Sequence, residues 1–136
     1  MAEDYDSIYS ENDAVFGAQE CALLKKYAEY FPAGARVLDM GVGQGRNALS
    51  LGRRGCQVTG IDTSAVAVDT VNRIAREENL PVTALLKDYI SYEPERSFDV
   101  VLCFGLMQVL DLAGCASLVE RLHHWTRPGG ALFLTA

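Results

Sequence analysis

The chain has 136 residues, 49% of them hydrophobic, and a net charge of −6 at neutral pH. This length and apolar content suit one domain with a sizeable core. Because an acidic protein repels phosphate groups, the composition excludes a general nucleic-acid binder and a binder of anionic membranes. The sequence has no apolar run of membrane-spanning length and no signal-peptide pattern. We therefore expect a cytoplasmic protein with a small-molecule partner.

The cysteines and histidines are not arranged as metal ligands. The cysteines are Cys21, Cys56, Cys103 and Cys115. Because they form no Cys-x-x-Cys pair, we expect reduced and mostly buried thiols. The two histidines, His123 and His124, are adjacent, so their side chains would point about 100° apart on a helix. We expect no metal site.

The predicted elements alternate between helix and strand. Residues 14–31 carry apolar groups at helical spacing and close with Phe31-Pro32, which predicts an N-terminal helix. A strand over 36–40, a glycine-rich loop and a helix over 46–54 follow. The next elements are a strand over 57–61 that ends on Asp62 and a helix from Thr63 or Ser64 to Asn79. The last are strands over 82–86 and 98–104, a helix over 115–125, a turn over 127–130 and a fifth strand over 131–135. This alternation predicts an α/β fold, a Rossmann-like doubly wound parallel sheet with helices on both faces.

The most informative motif is the glycine-rich loop after the first strand. It contains Gly41, Gly43 and Gly45, whose spacing lets the backbone adopt positive φ angles and lets a ligand approach closely. Asp39 precedes the loop by two residues, where its carboxylate would repel a phosphate and attract a cation. A dinucleotide site needs Gly-x-Gly-x-x-Gly, but Arg46 occupies the position of the last glycine. The loop therefore favours a cationic ligand and argues against a nicotinamide-dependent oxidoreductase.

The order of these motifs resembles that of class I S-adenosylmethionine-dependent methyltransferases. The resemblance covers roughly residues 35–136 and rests on Asp39 with the glycine loop, Asp62, Asp88, the strand from Phe98 to Val101, and Arg127-Pro128-Gly129-Gly130. Within that superfamily, residues 45–49 are similar to the tellurite-resistance and thiopurine group of small-molecule methyltransferases. The resemblance implies one domain, with an N-terminal cap and helix over 1–34 and an S-adenosylmethionine-binding core over 35–136. A complete fold of this class has seven strands, so we expect this core to be truncated after the fifth strand.

The cofactor implied by the resemblance is S-adenosylmethionine, with S-adenosylhomocysteine as its product. Asp39 would hold the ammonium, while the amides of the glycine loop and of the next helix would accept the carboxylate. Asp62 would accept hydrogen bonds from the ribose hydroxyls. The remaining contacts implied by the resemblance are Asp88 with the adenine amino group, Thr63 and Tyr89 with its ring, and the backbone of Cys103 or Phe104 with the methionine portion. For Asp88 the alternative is a turn cap.

The resemblance implies transfer of a methyl group to a small-molecule or chalcogen-oxyanion acceptor. The alternative is a domain that binds S-adenosylmethionine but is catalytically silent, as a regulator or subunit. No catalytic residue is identified, because an in-line displacement from a sulfonium does not require a base. Tyr5 and Tyr9 belong either to a lid over the cofactor or to an exposed terminus. An exposed fifth strand would also allow self-association.

Overall fold

A five-stranded parallel sheet forms the centre of the fold. The structure is a computed structural model, and it describes residues 4–14, 17 and 19–135. The strands are β1 (Arg36–Met40), β2 (Gln57–Asp62), β3 (Val82–Leu86), β4 (Phe98–Cys103) and β5 (Thr126–Leu134). Their order in the sheet is β3-β2-β1-β4-β5, and every pair is parallel. The predicted doubly wound α/β fold is confirmed.

Helices connect the strands. The α-helices are α1 (Tyr5–Tyr9), α2 (Ala22–Lys26), α3 (Arg46–Arg53), α4 (Ala65–Glu77) and α5 (Leu112–Trp125), and there are two short 3₁₀ helices, Ala28–Tyr30 and Met107–Val109. Ser64 caps α4, as predicted, by accepting a hydrogen bond from the Ala67 amide at 3.2 Å. No helix within the described ranges is long and apolar enough to cross a membrane.

The prediction of one long helix over residues 14–31 is wrong. Helical structure in this part is limited to α2 and one 3₁₀ turn, while Val15 and Ala18, which contributed to the predicted periodicity, lie outside the described residues. Polar contacts with α3 fix the chain before α2 instead. The Cys21 amide donates to the Asn47 side chain at 2.7 Å, and Glu20 accepts a hydrogen bond from Ser50 at 2.5 Å.

The fifth strand begins earlier than predicted. Thr126 already pairs with Phe98, and the next pair joins Ala131 to Val100, so the segment predicted as a turn over 127–130 is a bulge within β5 opposite Asp99. The Asp99 carboxylate holds this bulge, because it accepts hydrogen bonds from Arg127 Nε at 2.6 Å and from the Arg36 amide at 2.8 Å. The role of Asp99 is therefore structural, as is common for a carboxylate near the start of a strand.

The sheet is covered on both faces, and the side chains of β1 divide between the two cores. Val37 packs with α3 and α4 on one face, whereas Leu38 and Met40 pack with α5 on the other. All four cysteines are free thiols, as predicted, and two of them are buried. The alternation along β1 directs Asp39 toward the face that carries the glycine loop and α3.

Candidate functional site

A cavity of about 510 Å³ opens at the carboxyl-terminal edge of the sheet. It lies beyond β1, β2 and β4, the region in which open α/β sheets bind ligands, and its volume is typical of small-molecule sites. Eight of the ten predicted site residues line it: Asp39, Gly41, Gly43, Asp62, Thr63, Asp88, Tyr89 and Phe104. The structure thus brings together residues that are up to 65 positions apart in the sequence.

The other two predicted residues, Gly45 and Cys103, are not among the residues that line the cavity. Gly45 precedes α3 with a φ of 86°, and a Cβ there would lie 3.0 Å from side-chain atoms of Leu49 and Val71. Cys103 is fully buried in the core, and its carbonyl accepts a hydrogen bond from the Thr135 amide at 3.1 Å. Burial, with a smaller effect of Asp39, raises the pKa of the Cys103 thiol to about 12. Cys103 is therefore no nucleophile at neutral pH.

Asp39 is the unusual group of the cavity. Its side chain lines the cavity, yet the residue is only 3% exposed. Burial, reinforced by the negative charge of Asp62, raises the pKa of Asp39 to about 7, while Arg46 opposes the shift. Within the described ranges no donor forms a hydrogen bond or ion pair with this carboxylate. A buried acceptor of this kind fits a cationic donor, because an ammonium would supply both charge and hydrogen bonds.

The amides of the three loop glycines are already used within the protein. Gly41 N–H donates to the Ile61 carbonyl at 2.8 Å, Gly43 N–H to Asp62 Oδ2 at 2.9 Å, and Gly45 N–H to the Val42 carbonyl at 3.0 Å. The expectation that amides receive a carboxylate of the ligand therefore stays a prediction for the start of α3, because the three glycine amides already have acceptors within the protein. The glycines allow the tight path of the loop, with positive φ at all three positions.

Arg46 is placed to receive an anion. It is the first residue of α3, it is exposed, and it lines the cavity. None of the hydrogen bonds or ion pairs among the described residues involves its guanidinium, although its charge acts on Asp39. A planar guanidinium suits bidentate binding of a carboxylate or oxyanion. The cavity therefore has an acceptor for a cation and a donor for an anion at the same loop.

Asp62 joins the tip of β2 to the glycine loop. Its two carboxylate oxygens accept hydrogen bonds from Gly43 N–H and from Ser64 N–H, both at 2.9 Å. An ionised carboxylate has about four lone-pair sites, so two remain for the hydroxyl groups of a ligand. Because the protein itself fixes both oxygens, Asp62 is oriented before any ligand binds.

Asp88 is a turn cap that also lies at the cavity. Its carboxylate accepts hydrogen bonds from the amides of Ile90 at 3.0 Å and Ser91 at 2.7 Å, which is a turn cap. The backbone and side-chain hydrogen bonds of Ser91 lower the pKa of Asp88. The same residue lines the cavity beside Thr63 and Tyr89.

Within the described ranges no group of His, Cys, Asp and Glu side chains could hold a metal ion.

Several features of the site were not predicted from the sequence. Gln44 Nε2 donates to the backbone carbonyls of Tyr9, at 3.2 Å, and Asn12, which fastens the N-terminal segment to the loop. Leu106 and Val109 form an apolar part of the cavity wall after β4. No pattern in the sequence marks these three side chains, because each acts through the tertiary fold.

Gly60 was also missed, although the sequence carries a signal for it. A glycine inside a strand often marks a close approach of other atoms. A Cβ at this position of β2 would lie 2.6 Å from Cγ2 of Val42. Gly60 therefore leaves the space in which the glycine loop packs on the sheet.

Comparisons with known proteins identify the family. Residues 37–130 match the family model described as a methyltransferase domain. A ubiquinone biosynthesis O-methyltransferase of Xanthomonas axonopodis pv. citri is 34% identical over 111 residues, which are 76% of this chain and 44% of that protein. A probable S-adenosyl-L-methionine-dependent methyltransferase, TehB, of Haemophilus influenzae is 28% identical over 74% of this chain and 35% of its own length.

A solved methyltransferase structure has the same fold as this chain. The S-adenosylmethionine-dependent methyltransferase of Geobacter sulfurreducens, in complex with S-adenosylhomocysteine, superposes with a TM-score of 0.75 at 25% identity. The match covers 96% of this chain and 54% of that one. The present chain thus spans about half the length of the proteins that it resembles.

Proposed function

The chain belongs to the class I family of S-adenosylmethionine-dependent methyltransferases, and we propose that it binds S-adenosylmethionine and transfers the methyl group to a small-molecule acceptor. The observation that carries this proposal is Asp39, a buried carboxylate that has no donor among the described residues and lies at the wall of a ligand-sized cavity. The ammonium of the cofactor would provide the charge that this carboxylate requires. The Geobacter relative, whose structure contains S-adenosylhomocysteine, supports the same cofactor.

Arg46 would bind the carboxylate at the amino-acid end of the cofactor. The three glycine amides are occupied by protein acceptors, so we assign the carboxylate to the guanidinium of Arg46, with the amides at the start of α3 as further donors. Arg46 and Lys87 are the two cationic residues that line the cavity, and Arg46 is the one whose charge acts on Asp39. Together, Asp39 and Arg46 match the two charges of a zwitterion.

Asp62 would hold the ribose through its two remaining lone-pair sites, and Asp88 with Tyr89 and Thr63 would surround the adenine. These four residues lie beyond β2 and β3, on the same wall of the cavity as the glycine loop. When bound, the cofactor supplies an electrophilic methyl group on a positively charged sulfur. Tyr9 and Leu106 line the cavity, and with the cofactor bound they would help to keep water away from the methyl group.

We propose a small-molecule or chalcogen-oxyanion acceptor. The acceptor would approach along Leu106, Gln108 and Val109, which line the cavity without a counterpart among the predicted cofactor contacts. Histidine and cysteine side chains are not among the residues that line the cavity. An acceptor that is already nucleophilic at neutral pH therefore suits this site best, because it does not need a general base.

Calorimetric titration with S-adenosylhomocysteine, NAD and 5′-methylthioadenosine tests the cofactor and the role of Arg46. We expect binding of S-adenosylhomocysteine and no binding of NAD. Arg46→Gln should weaken the binding of S-adenosylhomocysteine by roughly tenfold or more. It should leave the binding of methylthioadenosine unchanged, because that nucleoside lacks the amino-acid end. Arg76→Gln is the matched control, because Arg76 is an exposed arginine of α4 that is not among the cavity-lining residues.

Formation of S-adenosylhomocysteine in the presence of phenols, thiols and chalcogen oxyanions tests turnover. Failure of the wild-type protein to bind S-adenosylhomocysteine would overturn the proposed function. If Arg46→Gln weakens the binding of both nucleosides equally, only the assignment of the carboxylate to Arg46 is overturned.

A further inference from the structure

Helix α1 covers part of the proposed cofactor cavity. Tyr5 and Tyr9, one turn apart, stack with ring centroids 5.9 Å apart, and both line the cavity. The Tyr9 hydroxyl lies 3.1 Å from the position that a Cβ of residue 43 would occupy. Because the helix lies directly over the glycine loop, a ligand cannot enter or leave along this side unless α1 moves.

Hydrophobic burial contributes little to the position of α1. The helix has five residues, and none of them is buried. An isolated helix of this length is also unstable in water. Contacts with the rest of the protein must therefore hold it over the cavity.

One such contact is the hydrogen bond that Gln44 Nε2 donates to the Tyr9 carbonyl at 3.2 Å, which has no formal charge on either partner.

A charged contact is made by Asp6 with the start of α4. Asp6 Oδ1 accepts a hydrogen bond from Ser64 Oγ at 2.5 Å and lies 3.4 Å from the amide nitrogen of Val66, which also donates to it. The carboxylate thus lies at the N-terminal end of a 13-residue helix, where a negative charge is stabilised by the helix dipole. By contrast, the ion pair between Asp13 and Arg73 joins two exposed side chains and contributes little.

Ser64 links this contact to the binding site. Its hydroxyl donates to Asp6, and its backbone N–H donates to Asp62 Oδ1 at 2.9 Å. Asp62 in turn accepts from the Gly43 amide. A continuous series of hydrogen bonds therefore runs from the covering helix to the residue proposed to hold the ribose and to the glycine loop.

We propose that Asp6 is a positioning residue that latches α1 over the cofactor cavity and thereby controls the release of the cofactor and its product. The inference rests on the proposed function, since it assigns the cavity to S-adenosylmethionine. It predicts that the charge of Asp6 determines how long a ligand stays bound. The fold of the core does not depend on this charge, because Asp6 is exposed and α1 buries no side chain.

The test compares Asp6→Asn with Asp4→Asn, two substitutions that remove the same charge from the same segment. Among the described residues, the Asp4 carboxylate forms hydrogen bonds only with its own helix, where it accepts from the amide and hydroxyl of Ser7. Asparagine caps helices about as well as aspartate, so Asp4→Asn should leave α1 in place. The dissociation rate is measured by displacing a fluorescent S-adenosylhomocysteine analogue in a stopped-flow instrument.

We expect Asp6→Asn to accelerate dissociation about tenfold and Asp4→Asn to change it less than about twofold. The melting temperatures of both variants without ligand should equal that of the wild type. In hydrogen exchange, Asp6→Asn should remove protection of the Ser10 amide, which donates within α1 to the Asp6 carbonyl at 3.0 Å. A simple loss of stability would lower the melting temperature without a specific effect on dissociation.

A double-mutant cycle with Ser64→Ala identifies the partner of Asp6. If the latch joins these two side chains, the effects on the dissociation rate will not be additive. Equal dissociation rates for the Asp6→Asn and Asp4→Asn proteins would overturn the latch while leaving the proposed function intact. If the wild type binds no S-adenosylhomocysteine, the proposed function fails, and unchanged exchange at Ser10 would then overturn the latch independently.

Discussion

Replacement of Asp39 by asparagine should make the unliganded protein more stable at alkaline pH while weakening its binding of the cofactor. The pKa of Asp39 is raised from its ordinary value of 3.8 to about 7, mainly by burial and then by the charge of Asp62. Asparagine has nearly the same shape but never ionises. The variant therefore removes the energetic cost of a buried charge and also removes the proposed partner of the ammonium.

The direction of the pH effect follows from proton linkage. Since the folded protein holds this proton more tightly than the unfolded chain, the stability contributed by Asp39 is complete below pH 3.8 and is lost as the pH rises through about 7. The total difference of about three pKa units corresponds to roughly 4 kcal/mol. Of this total, about 2 kcal/mol of the free energy of unfolding is lost between about pH 5.5 and pH 8.5.

Urea unfolding at these two pH values measures the effect. On going from the lower to the higher pH, the free energy of unfolding of the wild type should fall by about 2 kcal/mol more than that of Asp39→Asn. Saturating S-adenosylhomocysteine should abolish this difference for the wild type, because its ammonium lowers the pKa of Asp39, and at equal concentration it should stabilise the variant less than the wild type. An equal pH dependence of the two unliganded proteins would refute the assignment of a raised pKa to Asp39.

Three further substitutions or measurements test the packing of the site and the edge of the sheet. Gly43→Ala places a Cβ 3.1 Å from the Tyr9 hydroxyl at a φ of 54°, so calorimetry should show about tenfold weaker S-adenosylhomocysteine binding with only a small change in melting temperature. Gly60→Ala places a Cβ 2.6 Å from Val42 and should destabilise the fold by about 1 to 3 kcal/mol in urea unfolding, a loss that Val42→Ala should partly restore. Within the described residues β5 pairs only with β4, so we expect this chain to self-associate through the unpaired edge of β5. Leu134→Lys should then reduce the mass measured by light scattering. A monodisperse wild-type monomer would contradict the prediction.

The sequence was sufficient to predict the elements that depend on local pattern. Apolar runs separated by turn residues located the five strands, and the residues at their carboxyl-terminal ends, such as Asp62 and Asp88, line one cavity because parallel strands end at the same edge. The N-terminal helix over 14–31 was wrong because contacts with α3, made by Glu20 and Cys21, override local periodicity. Pairing partners of this kind lie some 25 to 35 residues away and leave no trace in local spacing.

The bulge in β5 was not predictable for a similar reason. Arg127, Pro128 and the two glycines after them have the composition of a turn, but the pairing of Thr126 with Phe98 and the hydrogen bond of Arg127 with Asp99 keep them within the strand. The amides of the glycine loop provide the clearest case. Their spacing correctly indicated positive φ angles, but their use by acceptors of the protein depends on the position of β2 beside β1.

The charges of the cavity explain why the site favours a zwitterion over other ligands. Asp39 and Arg46 belong to the same loop and the helix that follows it, yet no ion pair joins them. A direct pair would relieve the buried carboxylate, and its absence leaves Asp39 with a pKa of about 7. The unliganded protein therefore retains an energetic cost that a ligand with an ammonium and a carboxylate can remove in one step. A neutral nucleoside removes neither part of this cost, so affinity and the pH dependence of stability should change together when either charge is deleted.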